Sequence, residues 1–392
     1  MRPFLRVQRS IILLVVIGLS RCASADDEVR YPSAKDEAVV DVEPLIEQLG
    51  HAQYTIRQQA GAKLLALGFD ARPALVASLN SLDLEIRLQA RRILTSIDEQ
   101  AFLGRLEAFV AGDAPVDARE FPAWPQFIEL TGADPTSRRL FVEMQKSEHR
   151  LLKVYAETPP KAGAELWSRC DQIQRSRNLQ PVYRITLSPG RIAALLLVAS
   201  DEAVQGRGKS AAYLNTFCNQ EPVRRGLHGE FHRPLREVLG AWIRSADAHS
   251  TYHALRLSMR FNLVDGLAPA EKILVNHAQN QKNVLQYALL TIGKLGDFRH
   301  IPLVEGFLEE ETRCAVHTVR GVNYRTEVRD IALACLFHLA EVNPKQLGFS
   351  RLEWHEETLF TTRSLGFPDD SQRQAVLRKW RKLRAEIQSV DP

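Results

Sequence analysis

The chain has 392 residues, of which 45% are hydrophobic and 25% charged, enough apolar material for a sizeable core and two or three domains' worth of structure. Its 21 Gly and 19 Pro exclude a collagen-like chain, and its 5 Cys exclude a disulfide-dense scaffold. With 51 Lys and Arg against 47 Asp and Glu, the formal charge of +4 would permit a nucleic-acid or membrane-surface partner.

The basic excess lies at the start. Arg2, Arg6 and Arg9 precede an apolar run, Ile11 to Leu19, and Ala23-Ser24-Ala25 supplies small residues just before Asp26. This order predicts a secretory signal over 1–25, cut after Ala25, with a linker over 26–42. An uncleaved anchor is the alternative, but a spanning helix needs about 20 apolar residues. A lipoprotein signal at Cys22 is disfavoured by Arg21, where a small residue is usual. Removing Arg2, Arg6, Arg9 and Arg21 leaves 47 bases against 47 acids, so the mature chain is balanced and no nucleic-acid partner is implied. Export also makes disulfides permissible among Cys170, Cys218, Cys314 and Cys335, with three full pairings open. There is no C-x-x-C. Cys335 sits in an apolar helical run and reads as a buried thiol.

Residues 43–98 contain a self-match at an offset of 30. Leu45 pairs with Leu75, Ile56 with Ile86, Arg57 with Arg87, Ala60 with Ala90 and Leu64 with Leu94. A fixed offset marks stacked repeats, here two short helices per unit. Pro44 and Pro73 suit the first turns of the first helices. Thr55 or Asp83 is expected to cap the second helices, and Gly68 to end one of them. Ile56, Ala60, Leu64 and Leu67, like Ile86, Ala90, Ile93, Leu94 and Ile97, make one buried stripe at helical spacing.

On these residues the chain resembles the short HEAT repeats of phycobilisome-lyase-type bacterial proteins. The shared opening is hydrophobic-Arg-x-x-Ala, standing here as Ile56-Arg57-Gln58-Gln59-Ala60 and Ile86-Arg87-Leu88-Gln89-Ala90. The turn Asp usual in that family is Asp83 in the second unit and is missing from the first. Val328, Arg329 and Ala332 repeat the opening in the C-terminal region, 251–392, where Ala254 to Asn276, the helix around Val284 to Leu295, and His300 to Leu308 read as further units. Glu309 to Arg325 reads as a polar surface loop or hairpin.

The region 99–250 reads as helical but irregular. Leu140, Met144, Leu151 and Tyr155 share one face of an amphipathic helix that Thr158-Pro159-Pro160 breaks. Ile192 to Ala203 and Leu235 to Ile243 read as buried helices. Strand signals are few, and Tyr183 to Leu187 is the nearest. Trp124 with Phe127, Thr131-Gly132-x-Asp134, Arg139-x-Phe141-Val142-Glu143-Met144, Leu347-Gly348-Phe349 and the final Arg373-x-Ala375-x-Leu377-x-Lys379-Trp380 are also similar to exported planctomycete-type proteins with HEAT-like repeats. That resemblance implies fold and export and carries no biochemical role.

Chemical motifs are weak. Ala203 to Ser210 fits a loose phosphate-loop pattern ending Gly208-Lys209-Ser210, but such a loop must follow a strand, and the preceding run looks helical. His228, Glu230 and His232 could form a metal site, though Gly226, Gly229 and Pro234 argue against one continuous helix under them. The last helix carries Val376, Trp380, Leu383 and Ile387 on one side. Arg373, Arg378, Lys379, Arg381, Lys382 and Arg384 give it a basic face. The basic face suits an anionic surface or polymer, while the apolar stripe suits a terminal cap of the repeat stack.

The expectation is therefore an all-α chain, an α-solenoid of HEAT-like helix pairs with a less regular helical middle and a basic capping helix. Its expected role is a non-catalytic, cofactor-free exported scaffold for a protein or extended polymer. A metal-dependent protein using His228, Glu230 and His232, or a membrane-surface protein docking by the last helix, are the rivals.

Overall fold

The structure is a computed structural model that describes residues 41–111, 121–276 and 282–390. The expected signal segment, 1–25, lies outside them. The described residues are mostly helical, with two short antiparallel hairpins. The chain divides into two compact units, the boundary falling between Asp98 and Glu99.

In the first unit, α1 (Glu43–Gln48) and α3 (Arg72–Ser78) each begin with proline in the first turn, where a missing N–H costs nothing. They alternate with α2 (Tyr54–Leu67) and α4 (Leu84–Ala111). The offset of 30 is repeated in the hydrogen bonds. Arg57 donates from Nη1 to the carbonyls of His51 and Ala52 at 2.7 and 3.0 Å. Arg87 does the same to Ser81 and Leu82 at 2.6 and 3.0 Å. Each guanidinium thus ties down the turn before its own helix. Arg57 also pairs with Glu85 of α4 at 3.2 Å.

Ala60, Ala90 and Leu64 are fully buried, whereas Ile56 and Ile86 are only half-buried, at the edge of the stripe. Asp83 caps α4, its Oδ1 accepting from the N–H of Glu85 at 2.8 Å. Thr55 does not cap α2: it lies inside the helix, whose start has no side-chain cap. Gly68 ends α2 with φ at +58°, as a glycine C-cap requires.

The second unit begins within α4, at Glu99, and continues into α5 (Trp124–Thr131) and α6 (Pro135–Glu157). Asp134 caps α6 by accepting from the N–H groups of Thr136 and Ser137. Phe109, Trp124, Phe127 and Phe141 form an aromatic cluster with centroids 4.8 to 6.1 Å apart, so the Trp124 and Phe141 motifs belong to the core. Then follow α7 (Pro159–Ser176) and α8 (Pro189–Ser200), the latter capped by Ser188. Every residue from Ile192 to Ala199 is buried, so α8 is apolar all round because it is surrounded. Tyr183 closes a short 3-10 turn and no strand forms at 183–187. The pair of strand-favouring residues there has no neighbouring strand to bond with.

The next helices are α9 (Ala211–Cys218), α10 (Glu221–Gly226), α11 (His232–Arg244), α12 (Thr251–Phe261) and α13 (Leu267–Val275). They continue into α14 (Lys282–Leu295) and α15 (Ile301–Glu305). Neighbours in sequence pair: α6 with α7, α8 with α9, α11 with α12, α13 with α14. Alternate helices also touch, α6 on α8, α8 on α11 and α11 on α13, while α7 meets α9, α9 meets α12 and α12 meets α14.

The segment after α15 forms strands β1 (Arg313–Val319) and β2 (Val322–Glu327), resolving the loop-or-hairpin alternative. Arg320 and Gly321 at its tip both have positive φ, the tight two-residue geometry whose twist matches the strands. Then come α16 (Val328–Leu339), packed on both α15 and α14, and α17 (Pro344–Leu347). A second hairpin follows, β3 (Trp354–His355) and β4 (Leu359–Phe360), for which the sequence shows no alternation. The last helix is α18 (Asp370–Val390).

Val376, Leu377 and Trp380 of α18 are buried in the core formed by α14 and α16. Trp380 donates from Nε1 to Glu305 at 3.0 Å. Among the described residues no helix is long and apolar enough to cross a membrane.

Candidate functional site

The residues singled out in the sequence go to four places. His228 lies exposed in the turn after α10, and His232 is the exposed first residue of α11, so the two imidazoles do not share a helix face. Glu230 is spent on Arg139 at 3.0 Å. Cys218, ten residues earlier, is buried in the core. Among the described residues no group of three or more His, Cys, Asp or Glu is arranged to hold a metal ion.

The glycine-rich loop follows α8, a helix, and leads through a 3-10 turn (Arg207–Ser210) into α9. The Asp201 carboxylate already occupies the Ala203 N–H at 2.8 Å. A Cβ on Gly208 would stand 2.4 Å from the Asp247 carboxylate, so an acid fills the space against this glycine. The preceding element is a helix and the space against Gly208 is filled, so the context that a phosphate loop needs is missing here.

Cys170 and Cys218 are buried free thiols on neighbouring helices, α7 and α9, and Cys335 is another in α16. Burial pushes Cys170 and Cys218 up to about 12, which leaves them protonated and unreactive. Cys314 is half-buried on β1 and donates weakly to the Thr312 carbonyl.

The basic face of α18 is largely engaged within the chain. Arg373 pairs with Asp330, Arg381 with Glu309 and Arg384 with Glu305, while Lys379 donates to the Leu347 carbonyl. Lys382 lies 4.0 Å from Glu386, and Arg378 is exposed.

Two clefts, neither foreseen, hold polar groups in a built setting. The smaller, about 310 Å³, opens beside a break in α6 at Glu148, whose φ of −142° interrupts the helix. Glu148 is buried and receives Arg169 of α7 through Nε and Nη2 at 2.7 and 2.9 Å. Arg191 of α8 donates to it at 2.6 Å. One carboxylate thus bolts three helices together, and both guanidiniums are committed to it.

The larger cleft, about 460 Å³, lies where the ends of α6, α8 and α11 meet α5. Arg207 holds two of those ends side by side. Its Nη1 donates to the Ala199 carbonyl at the end of α8 and to the Ser245 carbonyl and hydroxyl after α11, at 3.3, 2.8 and 3.1 Å. A charged donor satisfying terminal carbonyls of two helices is worth about 2 kcal/mol. Arg207→Ala is therefore expected to destabilise by about that amount in urea melts, with Arg207→Lys recovering part of it.

Inside the cleft, the Tyr155 hydroxyl donates to Asp201 Oδ2 at 2.9 Å. Burial first, then the hydrogen bond and charge of Asp201 and the charge of Glu129, raise the Tyr155 hydroxyl well above the usual phenol range. Glu129 and Glu202 are exposed on the cleft's rim, and neither has an ion pair or hydrogen bond among the described residues. Leu130, Leu197 and Ala241 supply an apolar wall. Arg244 also lines it, but its charge is met by Asp265. The Gln126 side-chain oxygen, on the same wall, is shut off from solvent and has no donor.

Sequence reasoning missed these residues. By its spacing Tyr155 belongs to an apolar helix face, and Asp201-Glu202 falls in no motif. The available signal was two adjacent acids directly after a fully apolar helix, a place where charge is exposed at the edge of a core. The chain matches no protein-family model, no curated protein and no solved structure.

Proposed function

We propose that the chain is an exported, non-catalytic α-solenoid of HEAT-like helix pairs that serves as an interaction scaffold for another protein. One observation carries this reading: pairs of sequential helices succeed one another from α6 to α16, with alternate helices in contact. Such a stack presents neighbouring turns and grooves over a long surface, which suits macromolecular partners better than small reacting groups. The repeated Arg57 and Arg87 contacts support the same reading for the first unit. The α18 helix then acts as the terminal cap, since it buries Trp380 and uses its cations internally.

Photo-crosslinking residues placed singly at Glu129, Glu202 and Trp167 of α7, all exposed, in the native cells test this. The expected result is adducts to one protein from several of these positions, surviving denaturing washes. Adduct-free protein at every position, with the variants folded by circular dichroism, would overturn the scaffold. Export is checked by sequencing the mature N-terminus, expected at Asp26; an intact start at Met1 would count against it.

A further inference from the structure

We infer that the cleft at the joined ends of α8 and α11 is a cation-recognition subsite, which takes the alkyl chain and charged head of a Lys or Arg side chain presented by the protein partner. The source of that side chain rests on the scaffold reading; the recognition chemistry is the cleft's own.

Charge decides the sign of the ligand. Glu129, Asp201 and Glu202 surround the opening, and the one cation on its wall, Arg244, is already paired with Asp265. An anion would meet three carboxylates. A neutral apolar group would cover Glu129 and Glu202 without replacing their water. A cation gains from both, because these two acids have no partner among the described residues and are open to receive one.

Shape and polarity then select an alkyl cation over a bare ion. No trio of ligands is arranged for a metal among the described residues. Part of the wall is apolar, through Leu130, Leu197 and Ala241. A side chain with a methylene stem and a charged tip lays its stem on such a wall and its head among the acids. The volume of about 460 Å³ is within the range of ligand pockets, about 300–1,000 Å³.

The hydrogen-bonding inventory agrees. Tyr155 donates into Asp201, which leaves the carboxylates of Glu129, Asp201 and Glu202 as the charged acceptors lining the space. Ammonium and guanidinium groups only donate. The Asp201 carboxylate is held in place by Tyr155 on one oxygen and the Ala203 N–H on the other, so its orientation exists before any ligand arrives.

Titration of the full mature chain with capped amino acids tests the inference. N-acetyl-arginine N-methylamide is the cationic probe, and the citrulline analogue is its neutral isostere. The expected result is saturable binding of the arginine probe at low salt, at least about tenfold tighter than citrulline and weakened by added salt. The Glu129→Gln, Glu202→Gln double variant should weaken the arginine probe about tenfold while its Tm stays unchanged, since both acids are exposed and unpaired.

Equal affinity for citrulline, undiminished binding by the double variant, or no saturable binding of the arginine probe would each overturn the subsite. Tighter binding of 1,4-diaminobutane than of the arginine probe would overturn the side-chain source in favour of a free diamine. Failure of the crosslinking experiment with intact probe binding would remove the scaffold and leave the recognition chemistry standing.

Discussion

Arg373→Ala is expected to destabilise the second unit by about 3–5 kcal/mol and to detach α18 from α16. Asp330 is fully buried, and Arg373 is 5% exposed. Arg373 meets Asp330 through Nε at 2.7 Å and Nη2 at 3.2 Å, and also reaches Asp370 and the Arg325 carbonyl. The remaining Asp330 oxygen capacity goes to the Glu327 N–H at 2.8 Å, at the start of α16. Removing the guanidinium strands a carboxylate in the core. Replacing both partners with apolar residues, Asp330→Leu with Arg373→Met, removes the charge as well as the pair, and should recover most of the loss. Urea melts read both effects; a single variant within 1 kcal/mol of the parent would sink the claim.

The same pair makes the loss depend on pH. Burial pushes Asp330 up to about 6 despite the pull of Arg373. Its folded value is above the unfolded 3.8, so its contribution is fully present below about 3.8 and is lost as pH rises through about 6. Without Arg373 that pull is gone and the folded value climbs further. Arg373→Ala should therefore cost more at pH 8 than at pH 5. A pH-independent difference between the two melts would show that the carboxylate is not the cause.

Gly163→Ala is expected to destabilise by about 3 kcal/mol, against what helix propensity says. In a helix interior, Gly→Ala gains about 1 kcal/mol. At Gly163 in α7 the added Cβ would stand 1.9 Å from the Gln205 carbonyl oxygen, and 3.4 Å from a Val204 methyl. A backbone atom cannot swing aside, so the loop bearing Asp201 to Gly206 must move, and overpacking outweighs the propensity gain. Gly104→Ala in α4 is the control: nothing lies within 4 Å of its added Cβ, and the gain of about 1 kcal/mol should appear there. Thermal melts of the two variants moving in the same direction would refute the close-approach argument. Because the displaced loop carries Asp201, Gly163→Ala should also weaken the arginine probe.

The sequence by itself determined the helices. Proline at the starts of α1 and α3, Asp at the start of α6, and apolar spacing through Leu140, Met144, Leu151 and Tyr155 are local properties, and the chain follows them. The offset of 30 was equally legible, and the matching contacts of Arg57 and Arg87 follow it. Thr55 was misread because a cap needs the residue just outside the helix, and α2 starts one residue earlier. The second hairpin was invisible since strands this short have no period to read.

The candidate cleft could not be read from sequence at all. Gln126, Glu129, Tyr155, Asp201 and Glu202 come from two helices and a loop, and only the packing of α5, α6, α8 and α11 brings them together. Gly163 had no visible reason until Gln205 was placed against it. The basic face of α18 looked like a docking surface because its acidic partners, Glu305, Glu309 and Asp330, lie at least forty residues away. Local propensities are written in neighbouring residues, whereas charge partnering and cavity lining depend on distance in space, which only the fold sets.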